Sequence, residues 1–378
     1  MQVEKKRREI IASFEGAQVS RKICLNIFLF LFISNSVLAY TPKTDWLQNL
    51  PNLGQLELVT TPEQTHQPLY DAFDKAEKSI SIGIFGISST EMANQITKQV
   101  KRGITVNIIC DKYCTSNTKR QAIFDQLKTA GANIVTATTG FSISHWKMFV
   151  IDDKKAFIST MNFITRTAEM RDLGIFTTDP AVIAEILKVF NQDLENAKNN
   201  TNITPELTNK NLVWSPNNSE SKLIDLINSA DQTIEIWIEN MGNPRIHTAL
   251  ADAVTRKVQV RVLTSICGMG MPSGQALVAL KDLKSKGVAV KGTPAPATTE
   301  IPYIHAKTLH VDKQVLFLGS ENFSINSLTK ARELGVVFQD QHIETELNNL
   351  FEKDWSHALD IPDQSDEKCT PLTTNGVD

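Results

Sequence analysis

A polar pattern that occurs twice, 160 residues apart, is the strongest constraint on how this chain can fold. The first copy, residues 144–162, reads SHWKMFVIDDKKAFISTMN, and the second, residues 304–322, reads IHAKTLHVDKQVLFLGSEN. Each copy has two apolar runs around a short polar step, which predicts two strands joined by a hairpin turn. Side chains two residues apart on a strand share a face, so both members of each His-x-Lys pair point into one space. The residues that recur are His145, Lys147, Asp152 and Asn162 in the first copy and His305, Lys307, Asp312 and Asn322 in the second.

The segments around the two copies repeat in the same order as well. Residues 172–177 (DLGIFT) and residues 333–339 (ELGVVFQ) follow the two copies, and each predicts a strand that leads into a long helix. Strands that alternate with helices predict an α/β fold. A repeat of this kind predicts two similar units around an approximate twofold axis, with both polar sets facing each other at the junction.

The predicted organisation therefore has five parts. A polar segment that carries Pro205 separates the halves, and the end of the chain reads as a loose tail. The predicted bounds are 1–39 for a signal peptide, 40–197 for the N-terminal unit, 198–211 for a linker, 212–356 for the C-terminal unit and 357–378 for the tail.

The N-terminus has the pattern of an export signal. Six basic residues precede the apolar run 23–37. Val37-Leu38-Ala39 then fits a signal-peptidase site before Tyr40. An apolar run of about 15 residues is short for a membrane-spanning helix, although an uncleaved anchor stays open as an alternative. Both readings place the folded part outside the cytoplasm, in the periplasm or secreted.

Charge and cysteine content limit the partners. Removal of six basic and three acidic residues with the signal leaves 33 basic against 39 acidic residues, a net charge of −6. A protein that mainly grips nucleic acid usually has a basic surplus, which this chain lacks. In an oxidising compartment disulfides can form, and free buried thiols are the other possibility. Four cysteines remain in the mature chain, namely Cys110, Cys114, Cys267 and Cys369, and only the first two are close in sequence.

Two His-x-Lys pairs brought face to face would suit a phosphoryl centre. Ammonium groups and neutral donors stabilise the charge that spreads over the non-bridging oxygens in the transition state. One imidazole can attack phosphorus while the other protonates the leaving alkoxide. The attacking ring must be neutral and held in one tautomer, and Asp172 and Glu333 are placed to orient the histidines. The expected oxygen-binding groups are Asn162, Asn322 and the hydroxyls of Thr160 and Ser320, and no carboxylate cluster suited to a hard cation accompanies them.

The pattern His-x-Lys-x4-Asp followed by Gly-Ser-x-Asn resembles the signature of the phospholipase D superfamily. The resemblance extends from about Leu56 to Trp355, and the doubled motif is specific. It implies two similar phospholipase D-like units, each a mixed β-sheet flanked by helices, packed as a pseudo-twofold pair with one shared active site. It also implies a covalent phosphohistidine intermediate formed without a metal or another cofactor. The first copy departs from the pattern, with Ser159-Thr160 in place of Gly-Ser.

The resemblance also assigns roles. His145 becomes the nucleophile and His305 the acid and base, while Lys147 and Lys307 join the two asparagines on the phosphate oxygens. Asp152 and Asp312 belong to the catalytic signature, but their place at the hairpin turn predicts a mainly structural role. Strand parity directs Trp146 to the opposite face, into the core, and His310 away from the site.

Three activities fit this chemistry. The first is an exported phospholipase D that acts as a monomer on phospholipid at a membrane surface and releases phosphatidic acid and the head-group alcohol. The second is an exported nuclease with the same mechanism, which the acidic charge disfavours. The third is a cardiolipin-synthase-like phosphatidyltransferase.

Overall fold

The computed structural model describes residues 44–266, 273–294 and 297–361. The predicted signal segment, Cys267, Cys369 and the tail beyond residue 361 lie outside the described residues. None of the helices in the described ranges is long and apolar enough to cross a membrane.

The first half alternates strands with helices, as the sequence predicts. Its elements are α1 (Asp45–Gln48), β1 (Glu57–Thr60), α2 (Gln67–Asp74), β2 (Ser79–Ile84), α3 (Thr90–Lys101), β3 (Thr105–Cys110), α4 (Thr118–Ala130), β4 (Asn133–Thr136), β5 (Lys147–Ile151), β6 (Lys155–Ser159), β7 (Met170–Arg171), β8 (Leu173–Thr177) and α5 (Pro180–Asn199). Side-chain caps define several helix starts, because Ser89, Asn117 and Asp179 each accept a hydrogen bond from a backbone amide three residues on.

The second half repeats this order. Its elements are β9 (Leu212–Ser215), α6 (Ser219–Ser229), β10 (Thr233–Ile238), α7 (Pro244–Thr255), β11 (Gln259–Ser265), α8 (Ser273–Ser285), β12 (Ala289–Thr293), β13 (Tyr303–Ile304), β14 (Lys307–Val311), β15 (Val315–Gly319), α9 (Ile325–Thr329), β16 (Glu333–Phe338), α10 (Gln341–His357) and β17 (Leu359–Asp360).

Each half builds one mixed β-sheet, and the two sheets have the same strand order. The first sheet runs β1-β8-β6-β5-β2-β3-β4, and the second runs β9-β16-β15-β14-β10-β11-β12 with β17 added at its edge. Only the pairs β2–β3, β3–β4, β10–β11 and β11–β12 within these sheets are parallel. The prediction of two similar mixed sheets in a pseudo-twofold pair is confirmed.

One hydrophobic cluster joins the halves. It contains Trp146 and Val150 beside β15 residues Leu316 and Leu318, together with the buried faces of α5 and α10. Trp146 is fully buried and its ring lies 6.2 Å from Phe190, so the predicted core position of this tryptophan is confirmed.

The structure differs from the predicted bounds at two places. Helix α5 continues to Asn199, two residues into the predicted linker. The predicted loose tail begins too early, because α10 reaches His357 and β17 then pairs antiparallel with β12 through Leu359 and Asp360. An edge strand of two exposed residues has too few residues to show an apolar alternation in the sequence.

Candidate active site

Each half sends a short segment across to the motif of the other half. The carbonyl oxygen of Arg171 accepts hydrogen bonds from the amides of His305 (3.1 Å) and Ala306 (2.8 Å). In the same way, the carbonyl of Arg332 accepts from the amides of His145 (2.8 Å) and Trp146 (3.1 Å). We call residues 170–172 and 331–333 the crossing segments. They fix the backbone of both histidines from the opposite half.

Buried ion pairs hold the crossing segments in place. Arg171 Nε lies 2.7 Å from Asp354 Oδ2, and both side chains are fully buried. In the pseudo-symmetric position, Arg332 Nη2 donates to Asp193 Oδ1 at 3.1 Å. Each arginine therefore pairs with a carboxylate on the long helix of the other half. Such pairs restrict geometry, because a buried charge that loses its partner is costly.

Each predicted orienting acid contacts the histidine of the other half. Nδ1 of His145 lies 2.9 Å from Oε2 of Glu333, and Nδ1 of His305 lies 2.6 Å from Oδ1 of Asp172. An ionised carboxylate can only accept, so each Nδ1 carries the proton that it donates. Nε2 is then left to act on substrate. The two halves thus complete each other's catalytic pair.

Thr160 and Ser320 do not have the phosphate-binding position predicted for them. Both side chains are completely buried. The Thr160 hydroxyl donates to the Asp172 carboxylate and accepts from the amide of Leu173. Ser320 accepts from the amide of Leu334, and its hydroxyl also bonds to Glu333. The two hydroxyls therefore hydrogen-bond to the orienting acids Asp172 and Glu333. The alternation of side chains along the chain turns them away from the imidazoles.

Asp152 and Asp312 are also not part of the reacting cluster, although they belong to the catalytic signature. Each adopts a positive φ at its hairpin turn, of 52° in both cases. The Asp152 carboxylate accepts from the amides of residues 77, 78 and 79, and Asp312 accepts from residues 231, 232 and 233. They tie the turn to the start of the neighbouring strand, at the far end of the hairpin from the imidazoles. The structural role predicted for them is the one that the geometry supports.

The lysines of the motifs lie beside the histidines, in two different settings. Lys147 Nζ donates to the carbonyl of His145 at 2.7 Å and lies 5.5 Å from the centroid of the Phe85 ring. Lys307 Nζ donates to the carbonyl of His305 and to Oε2 of Glu239 at 2.9 Å. The two motif copies are alike in sequence but have different neighbours.

Glu239 is a site residue that the sequence analysis missed. Its Oε2 lies 3.7 Å from Nε2 of His305, and Nδ2 of Asn322 donates to the same oxygen at 3.4 Å. Phe85 occupies the corresponding place in the first half, because Ile84 pairs with Lys147 as Ile238 pairs with Lys307. Residue 239 lies at the end of a predicted strand and outside the doubled motif. An alignment of the two halves pairs Phe85 with Glu239, and this replacement of an aromatic residue by an acidic one is the signal that could have indicated Glu239.

Burial sets the protonation of this cluster. Burial lowers the pKa of His145 against the opposing effect of Glu333, and this favours a neutral ring. Burial, with the charge of Lys307 nearby, also lowers the pKa of Lys147 to about 7. Burial opposes ionisation of Glu239, but Lys307 and His305 outweigh it and lower the pKa of that carboxyl. In addition to the orienting carboxylate at each Nδ1, the site therefore contains the Glu239 carboxylate next to His305 and the Phe85 ring next to His145.

A disulfide lies behind the first histidine. Cys110 and Cys114 are bonded, which selects one of the pairings that the sequence left open. The loop that they close carries Asp111, whose Oδ2 accepts from the amide of Ser144 at 2.7 Å. It also carries Tyr113, which stacks on Phe85. His310, in contrast, is buried against Trp237 and is absent from the site, as predicted.

Comparison with known proteins identifies the family. The family model described as "Cardiolipin synthase, PLD-like domain" matches residues 69–194 and 223–355, which together are more than half of the chain. The chain belongs to the phospholipase D superfamily. Its members are phosphodiesterases and phosphatidyltransferases, and that is the class of enzyme that the match supports here.

Individual relatives are distant. Phospholipase D Y of Dictyostelium discoideum is 24% identical over 81% of this chain and 89% of its own length. The probable cardiolipin synthase YwiE of Bacillus subtilis (strain 168) is 23% identical over 86% of this chain and 69% of its own. The crystal structure of phosphatidylserine synthase from Haemophilus influenzae Rd KW20 shares the fold, with a TM-score of 0.62 at 13% identity over 83% of this chain and 90% of that chain.

Proposed function

We propose that the protein is an exported phosphodiesterase of the phospholipase D type, which hydrolyses phospholipid to phosphatidic acid and the head-group alcohol. The observation that carries the proposal is the pair of buried histidines, each of which donates from Nδ1 to a carboxylate of the other half. Both rings therefore present Nε2 to a site that also contains two lysines. This arrangement suits attack on phosphorus by one ring and proton transfer by the other.

The different neighbours of the two histidines divide the roles. Burial lowers the pKa of His145, and the centroid of its ring lies 4.9 Å from that of Phe85, so we assign it the role of the neutral nucleophile. His305 has the Asp172 carboxylate at Nδ1 and the Glu239 carboxylate near Nε2. We therefore assign the acid and base role to His305, because both of its ring nitrogens lie near carboxylates and Nε2 faces the site. This assignment agrees with the roles that the family resemblance implies.

The reaction then proceeds in two steps. Nε2 of His145 attacks phosphorus, the bond from phosphorus to the head-group oxygen breaks, and His305 gives its Nε2 proton to the leaving oxygen. In the second step His305 takes a proton from water, the water oxygen bonds to phosphorus, and the phosphorus–nitrogen bond breaks to release phosphatidic acid. Lys147, Lys307 and the two motif asparagines stabilise the non-bridging oxygens throughout.

Several observations favour a lipid substrate. The relatives described above carry the names of lipid enzymes. The predicted mature chain has an acidic net charge, which suits neutral or zwitterionic lipid better than nucleic acid. The predicted export signal would bring the enzyme to the outer face of a membrane, where it acts as a monomer with an internal pseudo-dimer. The proposed chemistry uses protein side chains alone and requires no cofactor.

A phosphatidyltransferase is the second candidate. The match to a cardiolipin synthase domain and the Bacillus relative favour it. The covalent intermediate is the same in both reactions, and an alcohol takes the place of water in the second step. Competition between water and glycerol or phosphatidylglycerol therefore distinguishes the candidates.

The test uses purified residues 40–378 with phosphatidylcholine vesicles, with phosphatidylglycerol vesicles and with plasmid DNA, each in the presence of EDTA. We expect choline release and phosphatidic acid from the first substrate. Formation of cardiolipin from the second, without net hydrolysis, would establish the transferase. Nicking of DNA with no lipid turnover would overturn the lipid proposal and support the nuclease.

A further inference from the structure

The Glu239 carboxylate occupies the groups that would otherwise hold a phosphate oxygen in the second half. Its Oε2 is contacted by Lys307 Nζ at 2.9 Å, Asn322 Nδ2 at 3.4 Å and His305 Nε2 at 3.7 Å. Its other oxygen accepts from the hydroxyl of Tyr303 at 3.1 Å. All three contacts of Oε2 come from the lysine, asparagine and histidine of one motif copy. An anion of the protein itself is thus bound where a substrate anion is expected.

Among the residues that the structure describes, the first half has no such internal anion. Phe85 stands at the position of Glu239, and its ring faces Lys147 and His145. Asn162 Oδ1 is buried without a hydrogen-bond partner among the described residues. The first motif copy therefore faces substrate without an acidic side chain at this position, whereas the second shares its lysine, asparagine and histidine with Glu239.

We propose that Glu239 restricts the site to phosphate groups with a single negative charge, and so selects phosphodiesters against phosphomonoesters and inorganic phosphate. A diester carries one charge at neutral pH, whereas a monoester carries between about 1.5 and 2 because its second ionisation lies near pH 6. The additional charge would lie close to the Glu239 carboxylate in a buried site, where like charges repel strongly. Rejection of a competitor by a repulsive group is a general route to specificity.

The same repulsion would speed product release. Hydrolysis converts a diester into a monoester, which gains its second negative charge while it is still in the site. The inference rests on the proposed phosphodiester chemistry, but it holds equally for lipid and nucleic-acid substrates. A role limited to pairing with Lys307 would make a different prediction, because its loss would weaken diester and monoester binding together.

The test measures binding rather than turnover, so that its failure is separate from a failure of the proposed activity. The full chain is titrated calorimetrically at pH 8 with phenyl phosphate and with methyl phenyl phosphate, which differ by one methyl group and one charge. We expect wild-type protein to bind the diester at least tenfold more tightly than the monoester. In Glu239→Gln this ratio should fall by tenfold or more, mainly through tighter binding of the monoester.

Glu235→Gln is the matched control. Glu235 is buried and lies on the same strand, β10. Its Oε1 is 2.5 Å from Nη2 of Arg261, so its ion pair does not involve the histidines, lysines or asparagines of the motifs. This variant should keep the wild-type ratio. An unchanged ratio in Glu239→Gln, or equal binding of both probes by wild-type protein, would overturn the proposal, as would the absence of binding to both probes.

A second measurement on wild-type protein keeps the proposal open to refutation if Glu239→Gln does not fold. The ratio of the two affinities is compared at pH 5 and pH 8, on either side of the second ionisation of the monoester. The charged or titratable groups that face Glu239 are Lys307, His305, Tyr303 and, at longer range, His145 and Lys147. A change in the charge of these groups acts on both probes, whereas the second ionisation changes the monoester alone. Preference for the diester should grow at least tenfold from pH 5 to pH 8, and a constant ratio would contradict the role of Glu239.

Discussion

Asp354→Asn tests whether the buried ion pairs hold the two halves in register. The substitution preserves the shape of the side chain but removes the charge that faces Arg171, which is itself fully buried. Loss of one partner from a buried pair typically costs about 3–5 kcal/mol. The value here should lie near the lower limit, because Glu63 Oε2 remains 2.6 Å from Nη1 of the same arginine.

A loss of about 3 kcal/mol converts into a measurable shift in melting temperature. Unfolding entropy is about 2.1 cal/mol/K per residue, which gives about 0.6 kcal/mol/K for a folded unit of roughly 300 residues. The expected decrease is therefore about 5 °C. Urea unfolding gives an independent value of the free energy and leaves ion pairs unscreened by salt.

Asp74→Asn is the matched control, because it removes a carboxylate from an exposed ion pair with Lys98 at 2.9 Å. Exposed pairs contribute between 0 and about 1 kcal/mol, so the control should melt within about 1–2 °C of wild type. Asp354→Asn should also lower turnover, since the Arg171 carbonyl positions the backbone of His305. Equal melting temperatures for the two variants would refute the structural role of the crossing segments.

Three further predictions concern the site and its surroundings. His145→Asn and His305→Asn should each reduce head-group release by at least about 10³-fold, and a fully active His145→Asn enzyme would contradict the two-histidine mechanism. Burial raises the pKa of Glu321 well above 4.5, so the folded carboxyl keeps its proton to a higher pH than the unfolded one, and stability falls as pH rises above 4.5. Glu321→Gln should therefore unfold at higher urea concentration than wild type at pH 7 but not at pH 4, and the same difference at both pH values would count against this reasoning. Replacement of Cys110 and Cys114 by serine should lower the unfolding free energy by about 2 kcal/mol, and an unchanged value would show that the pair is not bonded in solution.

The doubled motif made the fold predictable because its spacing encodes local geometry. In a strand, a three-residue turn and a second strand, the alternation of side chains places His145 and Lys147 on one face regardless of what surrounds them. The repeat then requires two similar sheets, and the strand orders agree with this. Trp146 could be assigned to the core by parity alone. These predictions held because each depends on residues that are close together in sequence.

The parts that could not be predicted depend on contacts across the pseudo-twofold axis. The sequence identified Asp172 and Glu333 as orienting acids without indicating that each serves the histidine of the other half. Thr160 was assigned to substrate because it carries a hydroxyl, whereas its hydroxyl bonds to Asp172. The order of residues along the chain does not show which half supplies the acid that contacts each histidine. That depends on how the two halves pack.

The histidine, lysine, aspartate and asparagine of the motif recur at the same spacing in both halves, so they do not by themselves divide the catalytic roles between the two histidines. A symmetric pair of imidazoles, each with one carboxylate at Nδ1, would give no reason for one ring rather than the other to attack. The symmetry is broken one residue beyond strands β2 and β10, where Phe85 lies against His145 and Glu239 against His305. Burial against an aromatic ring favours a neutral nucleophile, and the second carboxylate near Nε2 distinguishes the histidine to which we assign proton transfer. Exchange of these two residues, Phe85→Glu with Glu239→Phe, should therefore move the trapped phosphohistidine from His145 to His305, and peptide mapping of the intermediate would show whether it does.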